Sequence, residues 1–531
     1  MLRRVWKPVA ATVVVVGAPA YYYYRSYSTQ TFDLSIRTRD SSGKSQMSSK
    51  TFTLLPLKES EARIRADAIS EAYLRPDGLA WKYTTAQLSS NDPIEDAFAN
   101  QIVARDESDP SAPGDYLFFA VMDGHGGYQT SHLLSRILIK AVAAELTNLL
   151  KDPNSASQPG LLDRVRSLLW QSPSTSPSFD ASPARVSQAI QLAFTELDDE
   201  LLSRPLRILA NTLGPEGLKK RELPDLSQHP EALSSMLPAI SGSCALMAIF
   251  DTAHRDIYVA CTGDSRAVAG VWEPSQDGKG QWRIEALSED QTGRNPSELA
   301  RVRSEHPKDE EDYVIREGRI LGGLEPSRAF GDARYKWPLP VQEALNQVFM
   351  VGNGMPMRNP PSQFKTPPYV TAKPVVVHRK MSLPSPSGSE PPKDATRFLV
   401  LATDGLWDQL SNEEVVSLVA GHLSGLKGIV PKSELPNLVP TTSGSAGING
   451  KKQKNLSKEE GSWAFVDDNI SAHLIRNAFG GGDESLLRRF LSIPAPHSRR
   501  YRDDVTVTVV CWEEGNEANV RIVREKIKSK L

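Results

Sequence analysis

Three long apolar runs of this chain each end directly on an aspartate. Runs of this length, rich in Val, Leu, Phe and Tyr, are typical of buried β-strands. The runs and the acids that follow them are 116–122 with Asp123, 256–263 with Asp264, and 397–403 with Asp404. A glycine adjoins each acid, and glycine lets the backbone come close to another group. We therefore expect a sheet-rich core with several carboxylates at the strand ends.

Two pairs of acids stand at the start of other strand-like runs. Asp503 and Asp504 directly precede the run 505–512, and Glu95 and Asp96 precede a short apolar patch. A single Asp-Gly is more often a turn, but several strand-linked acids are harder to explain in that way. Acids that meet at strand ends repel one another, and an all-oxygen set with one histidine suits Mg²⁺ or Mn²⁺. Two such cations can polarise a phosphoryl oxygen and activate water, so the pattern predicts metal-assisted phosphate ester hydrolysis.

The order of predicted elements indicates an α+β fold in layers. Closely spaced strand-like runs, such as the two that flank residues 252–255, predict hairpins in an antiparallel sheet. The predicted strands are 116–123, 244–251, 256–263, 266–272, 282–287, 397–403 and 505–512, and the predicted helices are 129–150, 186–202, 412–423 and 469–479. Runs of strands with long helices between them favour stacked sheet and helix layers.

Charge and cysteine usage exclude two functional classes. The formal net charge of −2 argues against a nucleic-acid partner. The three cysteines, Cys244, Cys261 and Cys511, lie in apolar runs and are interpreted as small buried hydrophobes of a reducing compartment. None is followed six residues later by the arginine that cysteine-dependent phosphatases share. A thiolate mechanism is therefore excluded.

The first 32 residues differ from the rest of the chain, because they contain four basic residues and no acid. This composition predicts a mitochondrial presequence. Residues 8–24 carry no charge and reach the lower limit of a bilayer-spanning length, so an inner-membrane anchor is a further prediction. A secretory signal is the alternative, but the apolar stretch ends in four tyrosines rather than in small cleavage-site residues.

The remaining chain is divided by composition. Residues 33–80 are predicted to be a linker with one helix near Ser60–Tyr73, and 81–514 to be one domain with insertions. The insertions are expected near 151–184, 339–365, 381–395 and 424–462. The insertions 151–184, 381–395 and 424–462 are rich in Ser, Pro, Gly or Lys and are expected to be mobile surface loops. The basic tail, 515–531, is interpreted as solvated surface rather than as a partner or membrane contact.

The acids fall within motifs that resemble the protein phosphatase 2C family of metal-dependent serine/threonine phosphatases. The resemblance follows the family order from about residue 91 to residue 512. Its motifs are Glu95-Asp96, Asp123-Gly-His-Gly-Gly127, Gly242-Ser-Cys-Ala245, Gly263-Asp-Ser-Arg-Ala-Val268, Ser327-Arg-Ala-Phe-Gly-Asp332, Asp404-Gly-Leu-Trp-Asp408 and Arg502-Asp-Asp-Val-Thr-Val507. The resemblance implies a β-sandwich of two antiparallel sheets flanked by helices on both outer faces. The metal ions would then lie at one edge, between the sheets.

The resemblance also implies a metal ligand for each principal acid. Glu95 corresponds to the ligand of the second metal ion. Asp123 corresponds to the carboxylate that bridges both ions, with help from the carbonyl group of Gly124. Asp404 and Asp503 correspond to ligands of the first ion.

Further roles follow from the same motifs. Asp264 and Asp408 would join Asp404 at a weaker third metal site. His125 is implied as the general acid that protonates the leaving Ser or Thr oxygen, which suits the proton affinity of histidine. A turn residue without a catalytic role is the alternative interpretation of His125. Arg328, Asp332 and Asn469 are expected to hold loops and to keep the metal ligands in position rather than to contact the phosphate.

One position departs from the family pattern. Many members have an arginine that grips the phosphate four residues before the Glu-Asp pair, and this chain has Asn91 there. Phosphate binding is therefore expected to rest on the metal ions or on another cation. The form Asn-x-Pro-x-Glu-Asp is a feature of the mitochondrial pyruvate dehydrogenase phosphatase branch. Further resemblance to that branch lies in segments 287–295, 305–307, 321–332, 335–337 and 367–374.

The resemblance implies a phosphatase that uses two Mg²⁺ or Mn²⁺ ions, with a weaker third, and acts on a phosphorylated mitochondrial protein. Pyruvate dehydrogenase is the expected partner, in the matrix or the intermembrane space. A non-catalytic binding protein on the same fold, or a phosphatase with a different mitochondrial substrate, are the alternatives. Degenerate members usually lose a ligand, whereas Glu95, Asp123, Asp404 and Asp503 are all present. The sequence carries no signal for oligomeric state.

Overall fold

A computed structural model describes residues 30–39, 45–74, 79–104, 115–149, 182–220, 223–275, 280–381, 395–442 and 460–514. The predicted presequence, apart from residues 30–32, and the tail 515–531 lie outside the described residues. So do the predicted anchor, most of the predicted insertions 151–184 and 381–395, and residues 443–459 of the predicted insertion 424–462. No helix within the described ranges is long and apolar enough to cross a membrane.

The strands reproduce the sequence-based predictions closely. All seven predicted strands are present, with ends that move by at most two residues. The strands are β1 (Thr31–Arg39), β2 (Ser45–Thr53), β3 (Ile69–Leu74), β4 (Leu79–Leu88), β5 (Ala97–Ala104), β6 (Asp115–His125), β7 (Gly242–Asp251), β8 (Asp256–Thr262), β9 (Arg266–Glu273), β10 (Gln281–Ala286), β11 (Ile315–Arg316), β12 (Arg319–Ile320), β13 (Phe330–Gly331), β14 (Val375–Lys380), β15 (Ala395–Ala402), β16 (Gly428–Pro431), β17 (Ser462–Phe465) and β18 (Val505–Glu514).

All four predicted helices are also present. The helices are α1 (Leu57–Arg65), α2 (Gln129–Asn148), α3 (Pro183–Lys220), α4 (Ala232–Ile240), α5 (Pro296–Ser304), α6 (Ala333–Lys336), α7 (Leu339–Leu345), α8 (Asp404–Trp407), α9 (Asn412–Leu423), α10 (Leu435–Leu438), α11 (Ile470–Ala478) and α12 (Glu484–Ser492). Helix α3 is longer than predicted and is broken at Gly214, where φ is 58°. Helix α9 begins at a capping box, in which Ser411 and Glu414 bond each other's backbone N–H groups.

Two antiparallel sheets stack to form the core. One has the order β10-β9-β15-β18-β4-β3, and the other has the order β14-β8-β7-β6-β5 with β13 beside β7. Along β6, Leu117, Phe119 and Val121 face the core between the sheets, whereas Phe118 and Ala120 face the helices. Because side chains alternate along a strand and both faces are buried, the sequence appears as one unbroken apolar run.

The helices cover both outer faces of the sandwich. Helices α2 and α3 pack on the sheet that contains β6, and α9, α11 and α12 pack on the sheet that contains β18. The predicted α+β sandwich with four layers is therefore confirmed.

The interpretation of residues 33–80 as a linker is wrong. Strand β3 forms the edge of a sheet and pairs with β4, and Ile64 of α1 is fully buried in the core. The predicted helix near Ser60–Tyr73 therefore ends at Arg65, because pairing with β4 satisfies the backbone groups of the residues that follow.

Two predicted insertions contain ordered structure in their described parts. Within 339–365, α7 leads into a π-helical turn, Asn346–Met350, whose Phe349 is fully buried. Within 424–462, β16 pairs with β17 and places Val430 in the core. The expectation of a mobile loop is wrong for this part, because Val430, Leu435 and Trp463 are buried in the core beside helices α9 and α11.

Candidate metal centre

The strand ends that carry the acids meet at one edge of the sandwich. Asp123 lies near the end of β6, Asp264 lies between β8 and β9, and Asp404 begins helix α8, which Thr403 separates from the end of β15. One carboxylate oxygen from each of these three residues lies within 4.8 Å of the other two. Strands β6 and β15 belong to different sheets, so their ends meet where the two sheets stack, and Asp264 lies where the chain crosses from β8 of one sheet to β9 of the other.

A cavity of about 460 Å³ opens above these carboxylates. Its lining includes six of the predicted site residues: Asp123, His125, Asp264, Asp404, Asp408 and Asp503. The predicted ligands Glu95 and Gly124 are not part of this lining. Glu95 lies next to it, since its Oε2 atom is 3.8 Å from Nη1 of Arg499, which does line the cavity.

Two glycines allow the close approach that gathers the acids. A Cβ atom at Gly124 would lie 2.1 Å from the carbonyl oxygen of Glu95. A Cβ atom at Gly405 would lie 2.1 Å from the carbonyl oxygen of Asp504. Both distances are far below van der Waals contact, so only glycine lets these segments touch.

Burial and neighbouring charge raise the pKa values of two acids of the site, Asp123 and Asp503. Burial, followed by the charge of Asp404, raises the pKa of Asp123 well above its usual value. The same two causes raise the pKa of Asp503 to about 7. Several carboxylates with oxygen atoms this close are an unfavourable arrangement for protein alone and a favourable one around a divalent cation. The donor set, all oxygen, therefore fits Mg²⁺ or Mn²⁺.

The family model described as Protein phosphatase 2C matches residues 92–431 of this chain. The chain belongs to the protein phosphatase 2C family. It is therefore a protein serine/threonine phosphatase, and the non-catalytic alternative is not favoured.

Full-length relatives agree with this assignment. The mitochondrial pyruvate dehydrogenase (acetyl-transferring) phosphatase 1 of Saccharomyces cerevisiae is 35% identical over 90% of this chain and 77% of its own. A protein phosphatase 2C homolog of Schizosaccharomyces pombe is 35% identical over 82% of this chain and 81% of its own. The human mitochondrial pyruvate dehydrogenase phosphatase 2 is 31% identical over 81% of this chain and 77% of its own.

The phosphatase 2C site is supported by a buried acid to which the sequence analysis gave no role. The carboxylate of Asp504 accepts hydrogen bonds from the backbone N–H groups of Ser90, Asn91 and Glu95, at 2.5, 2.9 and 2.8 Å. It also accepts one from Nδ2 of Asn91 at 2.8 Å. Asp504 thus fixes the segment that carries Glu95. The acid pair at 503–504 was visible in the sequence, but its division into two roles was not.

Asp96 is likewise a support of the site. Its Oδ2 atom accepts hydrogen bonds from the hydroxyl groups of Thr403 and Thr506, both at 2.8 Å. Burial raises its pKa well above the usual value, and the charge of Asp504 adds to this. Asp96 therefore joins the start of β5 to the ends of β15 and β18.

His125 is held against a second carboxylate. Its Nε2 atom lies 2.7 Å from Oδ2 of Asp332. Burial alone would lower the pKa of His125, but the charge of Asp332 and this hydrogen bond outweigh burial and raise it. Because its ring lines the same cavity as Asp123, the arrangement suits a proton donor better than a turn residue.

The other residues expected to hold loops have contacts that suit that role. Nη2 of Arg328 lies 2.7 Å from Glu298, and its Nη1 donates to the carbonyl oxygen of Lys373 at 2.7 Å. Nδ2 of Asn469 donates to the carbonyl oxygen of Ile69 at 2.7 Å. Neither Arg328 nor Asn469 lines the cavity.

All three cysteines are buried thiols outside any disulfide bond, as expected. Cys244 reaches the cavity wall, where its thiol donates to Oδ1 of Asp264 at 3.3 Å.

The cavity also contains cationic side chains that were not predicted from the sequence. Its described lining contains Arg294, Arg319 and Arg499. Arg294 and Arg319 both contact Glu325, so their charge is shared with that carboxylate. Arg499 lies instead beside the predicted metal ligands, with Nη1 2.5 Å from Asp503. Its only signal in the sequence is its position four residues before Asp503.

Proposed function

We propose that this phosphatase hydrolyses phosphoserine or phosphothreonine in a mitochondrial protein, and that the substrate is pyruvate dehydrogenase. The observation that carries the chemistry is the group of three carboxylates, from Asp123, Asp264 and Asp404, that lies beside His125 in one cavity. The substrate is suggested by the printed names of the relatives and by the Asn-x-Pro-x-Glu-Asp form at Asn91.

The carboxylates would hold the metal ions of the family. Bound Mg²⁺ or Mn²⁺ supplies Lewis acidity toward a phosphoryl oxygen and lowers the pKa of water. We propose that two ions are held by Glu95, Asp123, the carbonyl of Gly124, Asp404 and Asp503, and a weaker third by Asp264, Asp404 and Asp408. This proposal is supported by the shared cavity and the raised pKa values of Asp123 and Asp503.

His125 would supply the proton that the leaving oxygen needs. A Ser or Thr alkoxide is a poor leaving group, so a positioned acid contributes about 10²–10⁴-fold to its departure. In the imidazolium form both ring nitrogens donate. Asp332 accepts from Nε2, which leaves the Nδ1 proton for the substrate oxygen.

We also propose a mitochondrial location, with residues 1–32 as the presequence and 8–24 as an anchor in the inner membrane. The acid-free basic start and the relatives named as mitochondrial support the location. A fluorescent protein fused after residue 32 should enter mitochondria, and alkaline extraction of the full chain tests the anchor. A diffuse cytosolic signal would contradict the presequence, and release by alkali would contradict the anchor.

The substrate is tested by comparing specificity constants. The full chain would be assayed with phosphorylated pyruvate dehydrogenase, with a second phosphorylated mitochondrial protein and with a phosphothreonine peptide, each with Mg²⁺ or Mn²⁺. We expect kcat/KM to be at least about tenfold higher for pyruvate dehydrogenase, which corresponds to about 1.4 kcal/mol of discrimination. Equal values for all three would contradict the substrate and leave the chemistry in place.

A further inference from the structure

The site lacks a phosphate-gripping arginine at the position where many family members have one. Asn91 occupies that position, and both protons of its side-chain amide are already used. Nδ2 of Asn91 donates to Oδ2 of Asp504 at 2.8 Å and to Oε2 of Glu95 at 3.2 Å. An amide with two donors has none left for a phosphate. Asn91 therefore holds the Glu95 segment, and a cation for the phosphate has to come from elsewhere.

A neighbouring segment carries such a cation. Residues Ser498–Arg500 form a 3₁₀ turn that is tied to the segment around Asn91. The hydroxyl group of Ser498, which is fully buried, donates to the carbonyl oxygen of Ser90 at 2.5 Å. Arg502 donates to the carbonyl oxygen of Ser89 from the other side of the turn. The backbone of Arg499 is thus fixed beside the position that lacks the arginine.

The side chain of Arg499 lines the cavity and has donors to spare. Its Nη1 atom is 2.5 Å from Oδ1 of Asp503 and 3.8 Å from Oε2 of Glu95. Among the described residues, none accepts a hydrogen bond from its Nε or Nη2 atom. The side chain of Arg499 is 41% exposed. Burial would lower its pKa, but the charges of Asp503 and Glu95 raise it, so the group stays charged.

The other two arginines of the cavity are less suited to bind a phosphate. Arg294 lies 3.3 Å from Glu325, and Arg319 contacts the same carboxylate. Arg319 also donates to the carbonyl oxygen of Gly323 at 3.2 Å. Glu325 lies outside the predicted metal ligands and compensates the charge of Arg294 and Arg319. The carboxylates near Arg499, in contrast, are those that metal ions are expected to neutralise.

We infer that Arg499 is the phosphate-binding cation of this site and takes the place of the arginine that Asn91 replaces. Its planar fork of donors matches two oxygens of a phosphate group. Divalent cations held by Asp503 and by Glu95 would compete for the carboxylate oxygens that Arg499 contacts and would leave its donors for the phosphoryl group. This inference rests on the proposed phosphatase function and identifies which residue of that site binds the substrate's charged group.

The test is calorimetric titration of inorganic phosphate into the full chain at saturating Mn²⁺. Arg499→Ala and Arg499→Lys would be compared with Arg500→Ala, a neighbour in the same turn whose side chain makes its one hydrogen bond among the described residues to the carbonyl oxygen of Ser35. We expect phosphate to bind about 10- to 100-fold more weakly to Arg499→Ala, because a charge-assisted hydrogen bond is lost. Arg499→Lys should fall between, and Arg500→Ala should match the wild type.

Steady-state kinetics and metal binding separate this role from a structural one. Loss of a residue that binds the phosphate equally before and during the reaction raises KM more than it lowers kcat. We therefore expect KM to rise about tenfold in Arg499→Ala. The affinity for Mn²⁺ should not weaken. Unchanged phosphate affinity, or a loss of phosphate affinity that accompanies weaker Mn²⁺ binding, would overturn the inference. Absence of metal-dependent phosphate release by the wild type would instead overturn the proposed function.

Discussion

The Nε2 atom of His125 lies 2.7 Å from the Oδ2 atom of Asp332, at the edge of the cavity that Asp123, Asp264 and Asp404 line. Because Asp332 raises the pKa of His125, the imidazolium form persists to higher pH than in an ordinary histidine. A general acid works in its protonated form. Asp332 therefore extends the alkaline side of the pH range in which His125 can donate a proton.

Replacement of Asp332 by Asn should move the alkaline limb of the rate profile to lower pH. The amide keeps a hydrogen-bonding group but removes the charge that raises the pKa of His125. The measurement is kcat on a phosphothreonine peptide from about pH 6 to about pH 9. Asp309→Asn, in a side chain that is 71% exposed, is the control. A limb that stays in place would show that Asp332 does not set the protonation of His125.

Replacement of Asp504 by Asn should weaken metal binding without removing a direct ligand. Asp504 accepts the backbone N–H groups that fix Glu95, and loss of such a support typically costs about 10- to 100-fold in metal affinity. Titration calorimetry with Mn²⁺ measures the effect, and circular dichroism confirms the fold. Asp468→Asn, whose side chain is fully exposed, should bind Mn²⁺ as the wild type does. Equal affinity in Asp504→Asn would exclude the supporting role.

Replacement of Glu298 by Gln should lower stability in a pH-dependent manner. Burial opposes ionisation of Glu298, but hydrogen bonds and charges of Arg328 and Arg301 lower its pKa to about 2. A lowered pKa contributes stability above the unfolded value of about 4.3, and the contribution is lost as pH falls toward 2. We expect a loss of about 3 kcal/mol at neutral pH and a smaller loss at about pH 3.

Urea unfolding at the two pH values measures this difference. Glu305→Gln is the matched control, because Glu305 also pairs with Arg301 but is 51% exposed. Exposed pairs of this kind contribute at most about 1 kcal/mol. A destabilisation by Glu298→Gln that does not vary with pH would contradict the role of the lowered pKa.

Much of the sandwich could be predicted because both faces of its strands are buried. Strand β6 contains an unbroken apolar run that ends at Asp123, so the type of the element and the position of its acid could both be predicted. Strand β3 was missed because it is short and its apolar residues do not alternate with polar ones, and its conformation depends on pairing with β4. The preference for a strand here comes from the neighbouring strand rather than from the residues of β3 themselves. A segment of this length therefore shows no periodic pattern from which the strand could be predicted.

The acids of the cluster could be predicted more readily than the groups that support them. Asp123 and Asp404 follow apolar runs, which gives each a local signal. Arg499 and Asp504 act through contacts with residues about 400 positions away, such as Glu95 and Asn91. Those contacts exist only after β4 and β18 have paired, so no local pattern could have identified them.

The most direct test is release of inorganic phosphate from a phosphothreonine peptide by the wild type and by Asp123→Asn, with Mg²⁺, Mn²⁺ or a chelator. Asp123 contributes to the carboxylate cluster and lies closest in sequence to His125 among its acids. We predict release by the wild type with metal, none with chelator, and a loss of at least about 10²-fold in Asp123→Asn. Release that is unaffected by the chelator or by Asp123→Asn would contradict the metal-dependent mechanism.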